Sequence, residues 1–186
     1  VAGEAMASAL TAWTRQHWSL IPKFFSTGDT ACGVRNAYSV PENLGVDRWA
    51  ALIGAHHQCR DAVCVIDCGT AITMDLLASS GQHQGGLILP GIEMLKQVLL
   101  EETAEVKPSV ALPLATLLAS STGAGIHGGA VYRVVAAIDR LVAWHLISST
   151  TFVVHPGDSL YRSFMPDAQY HWGSNRVKAN IGSANL

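Results

Sequence analysis

In the stretch VIDCGTAITMDLL, Val65–Leu77, an aspartate ends an apolar β-branched run, a glycine follows, and Thr70, Thr73 and Asp75 are set into the next apolar run. That is a high density of oxygen-bearing side chains for a segment whose apolar residues should be burying themselves. Glycine at position 69 lets backbone approach a ligand closely, and the neighbouring N–H groups and the hydroxyls of Thr70 and Thr73 can donate to phosphate oxygens. An aspartate at the lip of such a turn does not itself attract phosphate, so Asp67 makes sense there as the ligand of a cation that bridges the two negative groups. The same residues also read as an ordinary hairpin, with Asp67 capping a turn and the threonines favouring strand. The turn alone does not decide between them.

The elements around it are legible from periodicity. Met6, Leu10 and Trp13 recur at helical spacing and predict an amphipathic helix of about three turns. A Pro-containing loop, Tyr38–Gly45, runs into a helix that carries Trp49, Leu52, Ile53 and His56 on one side, which places Asp47 and Arg48 at its start. Asp47 is well placed there as an N-terminal cap, Arg48 as a surface partner of Glu42 or Asp47, and Tyr38 as a core aromatic. AVCVID, the turn CGTA and ITMDLL predict a β-hairpin; SSGQHQGG is a turn before a third strand, LILPG, and a helix follows through Met94, Leu95, Val98 and Leu99. Beyond the loop KPSVALP, a long helix opens with hydroxyls and glycines at SSTGAGIHGG and continues through Val131, Val134, Val135, Ile138, Leu141 and Val142. TFVVHPG predicts a last strand, and a short helix over Leu160–Phe164 is expected after it.

The whole chain has 186 residues, 49% hydrophobic and 14% charged, with a formal net charge of −2. This is enough apolar material for one domain or two small lobes. Lys and Arg are scattered, so no basic footprint for nucleic acid or an anionic membrane is present, and a small, nearly neutral ligand fits better. No apolar stretch approaches the length of a bilayer span, and the expected location is the cytoplasm. The four cysteines, Cys32, Cys59, Cys64 and Cys68, form no CxxC pair and read as small buried thiols in a reducing compartment. HHQC, His56–Cys59, lacks the second half that a structural zinc site requires. The first residue is Val and no signal peptide follows it, so the chain is expected to be an excerpt or a processed product.

Four segments, NAYSVPENLGVDRWAALIGA, DCGTAITMD, GGLILPGIEML and SSTGAGIHGG, follow one another in this order. Together they resemble the type III pantothenate kinase family, whose relatives include the Bvg accessory factors, over Val1 to about Gly157. The resemblance implies an α/β, actin-like ATPase fold of the acetate and sugar kinase superfamily with ribonuclease H-like lobes. Residues 1–60 would be the remainder of an N-terminal lobe carrying the pantothenate-binding segment, and residues 61–186 a C-terminal lobe with the phosphate hairpin and the long helix. It implies ATP-dependent phosphorylation of pantothenate to 4'-phosphopantothenate, the first step of coenzyme A biosynthesis, by a homodimer with the long helix Gly123–Leu146 near its interface. Asp47 would be the general base, and Tyr38, Gly45, Val46, Arg48 and Thr122 would bind pantothenate beside it. Gly69, Thr70 and Thr73 would hold ATP phosphate, with Asp75 completing the motif. Asp67 would bind a monovalent cation, K+ or NH4+, alongside Mg2+.

The chain departs from the family pattern in places. Nothing in Val1–Ala37 matches the Asp-x-Gly-Asn turn that opens family members, so the opening strands are expected to be missing and the chain to lack one wall of the ATP cleft. His155-Pro156-Gly157 stands where the family has Thr-Gly-Gly, and Pro156 removes a backbone donor from that turn. The competing reading is a non-catalytic relative, a binding or regulatory accessory factor that keeps the pantothenate pocket. An Hsp70-like or sugar-kinase-like ATPase would share the phosphate turn but not GVDR.

Overall fold

A computed structural model of the protein describes residues 3–102, 118–143, 151–156 and 177–179. In chain order its elements are helix α1 (Glu4–Trp18), strands β1 (Thr30–Ala31) and β2 (Val34–Arg35), a 3-10 turn (Pro41–Asn43), helix α2 (Val46–Gln58) and strands β3 (Val63–Cys68), β4 (Ala71–Leu77) and β5 (His83–Pro90). Helices α3 (Ile92–Glu102) and α4 (Thr122–Ala143) and strands β6 (Thr151–Pro156) and β7 (Val177–Ala179) follow.

Five strands form one mixed sheet in the order β5-β4-β3-β6-β7. The tight turns between β3, β4 and β5 force antiparallel pairing, whereas β6 lies parallel to β3, as a crossover through α4 allows. The predicted hairpin is therefore present, with Asp67 opposite Thr73 and Val65 opposite Asp75. β7, which periodicity did not announce, pairs parallel with β6. The expected helix over Leu160–Phe164 lies outside the described residues.

Alternation along the strands separates two cores. On one face Cys64, Ile66, Cys68, Ile72 and Met74 pack against Ile92 of α3 and Ala130, Val131 and Val134 of α4. On the other, Val63, Val65 and Leu77 pack against Val34, Leu44 and the α2 residues Trp49, Leu52 and Ala55. Period two then puts Asp67, Thr73 and Asp75 on this second face, where the cover of α2 begins at Arg48. The apolar stripe of the long helix is largely covered by its own sheet: Val131 and Val134 are buried, and Val135 and Ile138 pack against the same core.

Three expectations change. Met6, Leu10 and Trp13 of α1 are 61%, 45% and 45% exposed, so the stripe exists but does not face a core among the described residues; its Trp13 ring stacks instead on His17 and meets Trp18 edge-on. On α2 the buried stripe is Arg48, Trp49, Leu52 and Ala55 rather than one reaching His56, so a charged residue lies inside the apolar face. Cys59, Cys64 and Cys68 are buried thiols as expected, whereas Cys32 is exposed in the β1–β2 turn. Burial, helped by the charge of Asp75 or Asp67, pushes the Cys64 and Cys68 thiols up to about 12, so they remain protonated and pack as small apolar groups.

Candidate pantothenate and phosphate site

The site is assembled from the loop before α2, the start of α2 and the β3–β4–β5 meander. The loop is fixed by buried Asn36: its carbonyl accepts from the Tyr38 N–H at 3.0 Å, and its amide donates to the carbonyls of Gly28 and Pro41, each at 3.2 Å. The hairpin β1–β2 anchors the same segment, with the Arg35 N–H donating to Gly81 in the β4–β5 turn at 2.9 Å. Tyr38 is thereby delivered next to α2.

The start of α2 carries Gly45, Val46, Asp47 and Arg48. Asp47 is exposed, and its Oδ1 accepts from the Arg48 N–H at 2.9 Å; the N-cap position is Gly45 and no side chain caps the helix, so Asp47 is a first-turn acid rather than the cap expected of it. Gly45 has an ordinary φ of −52°, and a β-carbon there would lie 2.6 Å from Asp47 Oδ1, so a side chain at this position would make the exposed Asp47 carboxylate shift. Arg48 turns inward, away from the surface partners that sequence suggested. Its Nε and Nη2 donate to Asp75 Oδ2 and Oδ1 at 2.8 and 2.6 Å, and its Nη1 donates to Tyr38 Oη at 3.0 Å. The side chains of Arg48 and Asp75 are only 7% and 2% exposed. A charge pair this dry is tolerable only when both groups are fully hydrogen-bonded, and the bidentate fork supplies most of those bonds.

His83 completes the bonding. Its Nε2 lies 3.0 Å from Asp75 Oδ1, while Nδ1 accepts from the Ala37 N–H at 3.4 Å, an arrangement that assigns the proton to Nε2. The ring also stacks on Tyr38, with centroids 6.1 Å apart. Burial alone would raise the Asp75 carboxyl, but the hydrogen bonds from His83 and Arg48 outweigh it and hold the group below the usual carboxylate range. Burial opposes the Arg48 charge, and the bond to Asp75 exceeds that effect and raises the guanidinium further.

Glycines clear space for this pair. Gly86 lies opposite Asp75, and a β-carbon on it would collide with Asp75 Oδ1 and the Met74 carbonyl and come within 2.8 Å of Arg48 Nη2. Gly85 has φ +99°, a conformation that other residues avoid, at the register shift between Leu76 and Leu77.

At the far end of the same sheet face, Gly69 and Thr70 are exposed at the hairpin tip and Asp67 and Thr73 stand opposite each other just below it. The Gly69 N–H, expected to face phosphate, is already donated to the Ala71 carbonyl at 3.1 Å. The turn is braced from behind by Gly91, whose N–H donates to the Thr70 carbonyl at 2.9 Å and whose place admits no side chain, because a β-carbon would strike the carbonyls of Gly69 and Thr70. Thr122 stands apart, exposed in the first turn of α4 on the opposite sheet face, with no hydrogen bond to Tyr38 or Arg48. The cap of that helix is Ser121, whose Oγ accepts from the Ala124 N–H at 3.4 Å. Sequence reading gave no role to His83 or Asn36. The signal for His83 was a polar residue just ahead of Gly85-Gly86 within what looked like a turn.

A profile of the family described as type III pantothenate kinase matches residues 1–144. The chain belongs to the type III pantothenate kinase family. It is 41% identical over 167 residues to a type III pantothenate kinase of Nitrosococcus oceani, covering 86% of this chain and 63% of that protein. It is 47% identical over 111 residues to one of Halorhodospira halophila, covering 60% and 43%. The chain thus spans about half the length of these curated relatives. A solved structure of a Baf family protein from Campylobacter jejuni aligns at 25% identity with a TM-score of 0.44, over 69% of this chain and 57% of that one. Membership in the type III pantothenate kinase family implies an actin-like ATPase fold and the use of ATP by its kinases, and the α/β architecture agrees with it. No described helix is long and apolar enough to cross a membrane.

The buried pair gives a pH-dependent expectation. Asp75→Asn leaves Arg48 dry without its counter-charge and should lower stability by about 3–5 kcal/mol at pH 7. Because the Asp75 carboxyl is held low in the folded state, its contribution is fully present above the unfolded value of about 4 and is lost as pH falls through the folded one. Urea unfolding should therefore show a constant gap between wild type and Asp75→Asn from pH 7 to about 5 that narrows below about 4. A gap unchanged down to pH 3 would contradict the assignment.

Proposed function

We propose that the whole protein phosphorylates pantothenate from ATP, yielding 4'-phosphopantothenate at the entry to coenzyme A biosynthesis in the cytoplasm. The observation that carries this reading is the placement of Asp47, an exposed carboxylate at the mouth of α2, next to Arg48, which Asp75 and Tyr38 hold in one orientation. Family membership supplies the substrate class, and the geometry supports a division of labour.

Asp47 takes the proton of the acceptor hydroxyl through the carboxylate oxygen that Arg48 does not engage. The deprotonated hydroxyl oxygen attacks the γ-phosphorus in line as the bond to the β–γ bridging oxygen breaks and ADP leaves, and positioning does most of the work of phosphoryl transfer. Gly45 and Val46 line the pocket beside it, and Arg48 and Tyr38 present polar groups to pantothenate; Thr122, on the opposite sheet face, is left out of this pocket. Thr70, Thr73 and Gly69 form the phosphate side. No group of three or more His, Cys, Asp or Glu suited to a metal ion occurs among the described residues. Asp67, one carboxylate with Thr73 opposite, fits a loosely held monovalent ion, and Mg2+ fits as an ion carried largely by the phosphates themselves. Such cations, when bound, neutralise charge developing on the phosphoryl oxygens.

In this proposal residues 1–60 belong to an N-terminal lobe and residues 61–186 to a C-terminal lobe of ribonuclease H-like type. The alternative of a non-catalytic pantothenate-binding relative draws on Pro156, which has no N–H to offer at the end of β6. A homodimer is part of the same proposal, with the exposed apolar residues Met94 and Val98 of α3 and Tyr132 of α4 available for a second copy. Sedimentation of the full-length protein as a monomer at micromolar concentration would remove the dimer.

Asp47→Asn in the full-length protein is expected to abolish phosphorylation while leaving pantothenate affinity within about tenfold, since the amide keeps the shape but cannot accept the proton. A coupled ATP assay and calorimetry measure the two quantities. Near-normal turnover would take Asp47 out of the mechanism, and binding without turnover in wild type would favour the accessory-factor alternative.

A further inference from the structure

His83 is the one member of the buried network whose position cannot follow from plain strand alternation. β4 and β5 pair with Asp75 opposite Gly86 and Leu76 opposite Gly85, but Leu77 then pairs with His83 rather than Gln84. The extra residue is a bulge, and Gly85, at φ +99°, is where the backbone can take it. Without the bulge, residues 83 and 86 would face opposite sides of the sheet, because they are an odd number of positions apart. With it, His83 is turned onto the face of Asp75, where its ring is almost fully enclosed.

There the imidazole makes two bonds of different kind. Nε2 meets Asp75 Oδ1, the same oxygen that receives Arg48 Nη2, and Nδ1 accepts from the Ala37 N–H, next to Tyr38. One ring thus ties the carboxylate that aims Arg48 to the backbone that delivers Tyr38, and it also stacks on the Tyr38 ring.

We propose that His83 is a positioning residue for the pantothenate pocket, holding Asp75 through its Nε2–H so that the Arg48 guanidinium is fixed toward the substrate. This rests on the functional reading above, and it adds a residue that touches no reacting atom. The donor at Nε2 is the part that matters for Arg48, because a carboxylate that accepts from both His83 and Arg48 has fewer orientations open to it than one held by Arg48 alone.

Two variants separate the two nitrogens. His83→Gln can keep an N–H donor at the reach of Nε2 but loses the acceptor for Ala37. His83→Asn can keep an acceptor at the position of Nδ1 but cannot reach Asp75. In the full-length protein, His83→Asn should raise the pantothenate KM about tenfold or more with the ATP KM within about twofold, and His83→Gln should stay within about threefold of wild type. Independently of activity, the Arg48 Nε–H resonance in 15N NMR should be sharp and slow to exchange in wild type and His83→Gln, and broadened or lost in His83→Asn. Melting temperatures that fall in both variants while the pantothenate KM and the Arg48 signal stay as in wild type would make His83 merely structural and overturn the proposal. Equal rises in KM for both variants would overturn it too, since the Nε2 donor would then not be the decisive group. If the wild-type protein does not turn over pantothenate, the functional reading fails, and the Arg48 resonance alone then decides whether His83 positions the guanidinium.

Discussion

A guanidinium and a carboxylate removed together from water constrain the arrangement around them. Each charge, isolated in this interior, would cost several kcal/mol, so Arg48 and Asp75 must find each other and then satisfy every remaining donor and acceptor nearby. The consequences spread outward. Tyr38 must present its hydroxyl, so its loop is tied by Asn36; His83 must face Asp75, so β5 bulges at Gly85; and the strand opposite Asp75 must be bare, so Gly86 carries no side chain.

Replacing such a pair by apolar residues of similar volume is often neutral or stabilising in proteins, which makes stability a weak reason for the pair to exist. Orientation is the stronger reason. Fork-to-fork bonding fixes the plane of the guanidinium, and α2 places Asp47 one residue before it on the exposed side of the same turn. The division of the sheet serves the same end: among the described residues the face under α3 and α4 presents Cys64, Ile66, Cys68, Ile72 and Met74, whereas the face under α2 is apolar around Val63, Val65 and Leu77 and polar at Asp67, Thr73 and Asp75.

Much of this was legible in the residues. The hairpin, the three longer helices, the last apolar strand β6 and the Gly-Val-Asp-Arg start of α2 follow from periodicity, turn chemistry and the order of four segments. Two kinds of feature were not. Arg48 lies within the apolar stripe of α2 at helical spacing from Leu52 and Ala55, yet a charged residue in the first turn reads more simply as a surface cation, because local pattern carries no information about a partner 27 residues away. His83 was hidden by the bulge: a period-two reading of β5 assigns it to the wrong face, and the glycines that permit the bulge look from sequence like the end of a turn. The stripe of α1 is the opposite case, where the pattern was read correctly but Met6, Leu10 and Trp13 remain largely exposed.

The account depends on Arg48 and Asp75 acting as one buried unit rather than as two independent polar residues. A double-mutant cycle on unfolding free energy, using Arg48→Met, Asp75→Leu and the pair together, measures this directly. The account predicts a coupling of about 2 kcal/mol or more, with the double variant clearly more stable than the sum of the single losses implies. Additivity within about 0.5 kcal/mol, the behaviour of a solvated surface pair, would contradict it.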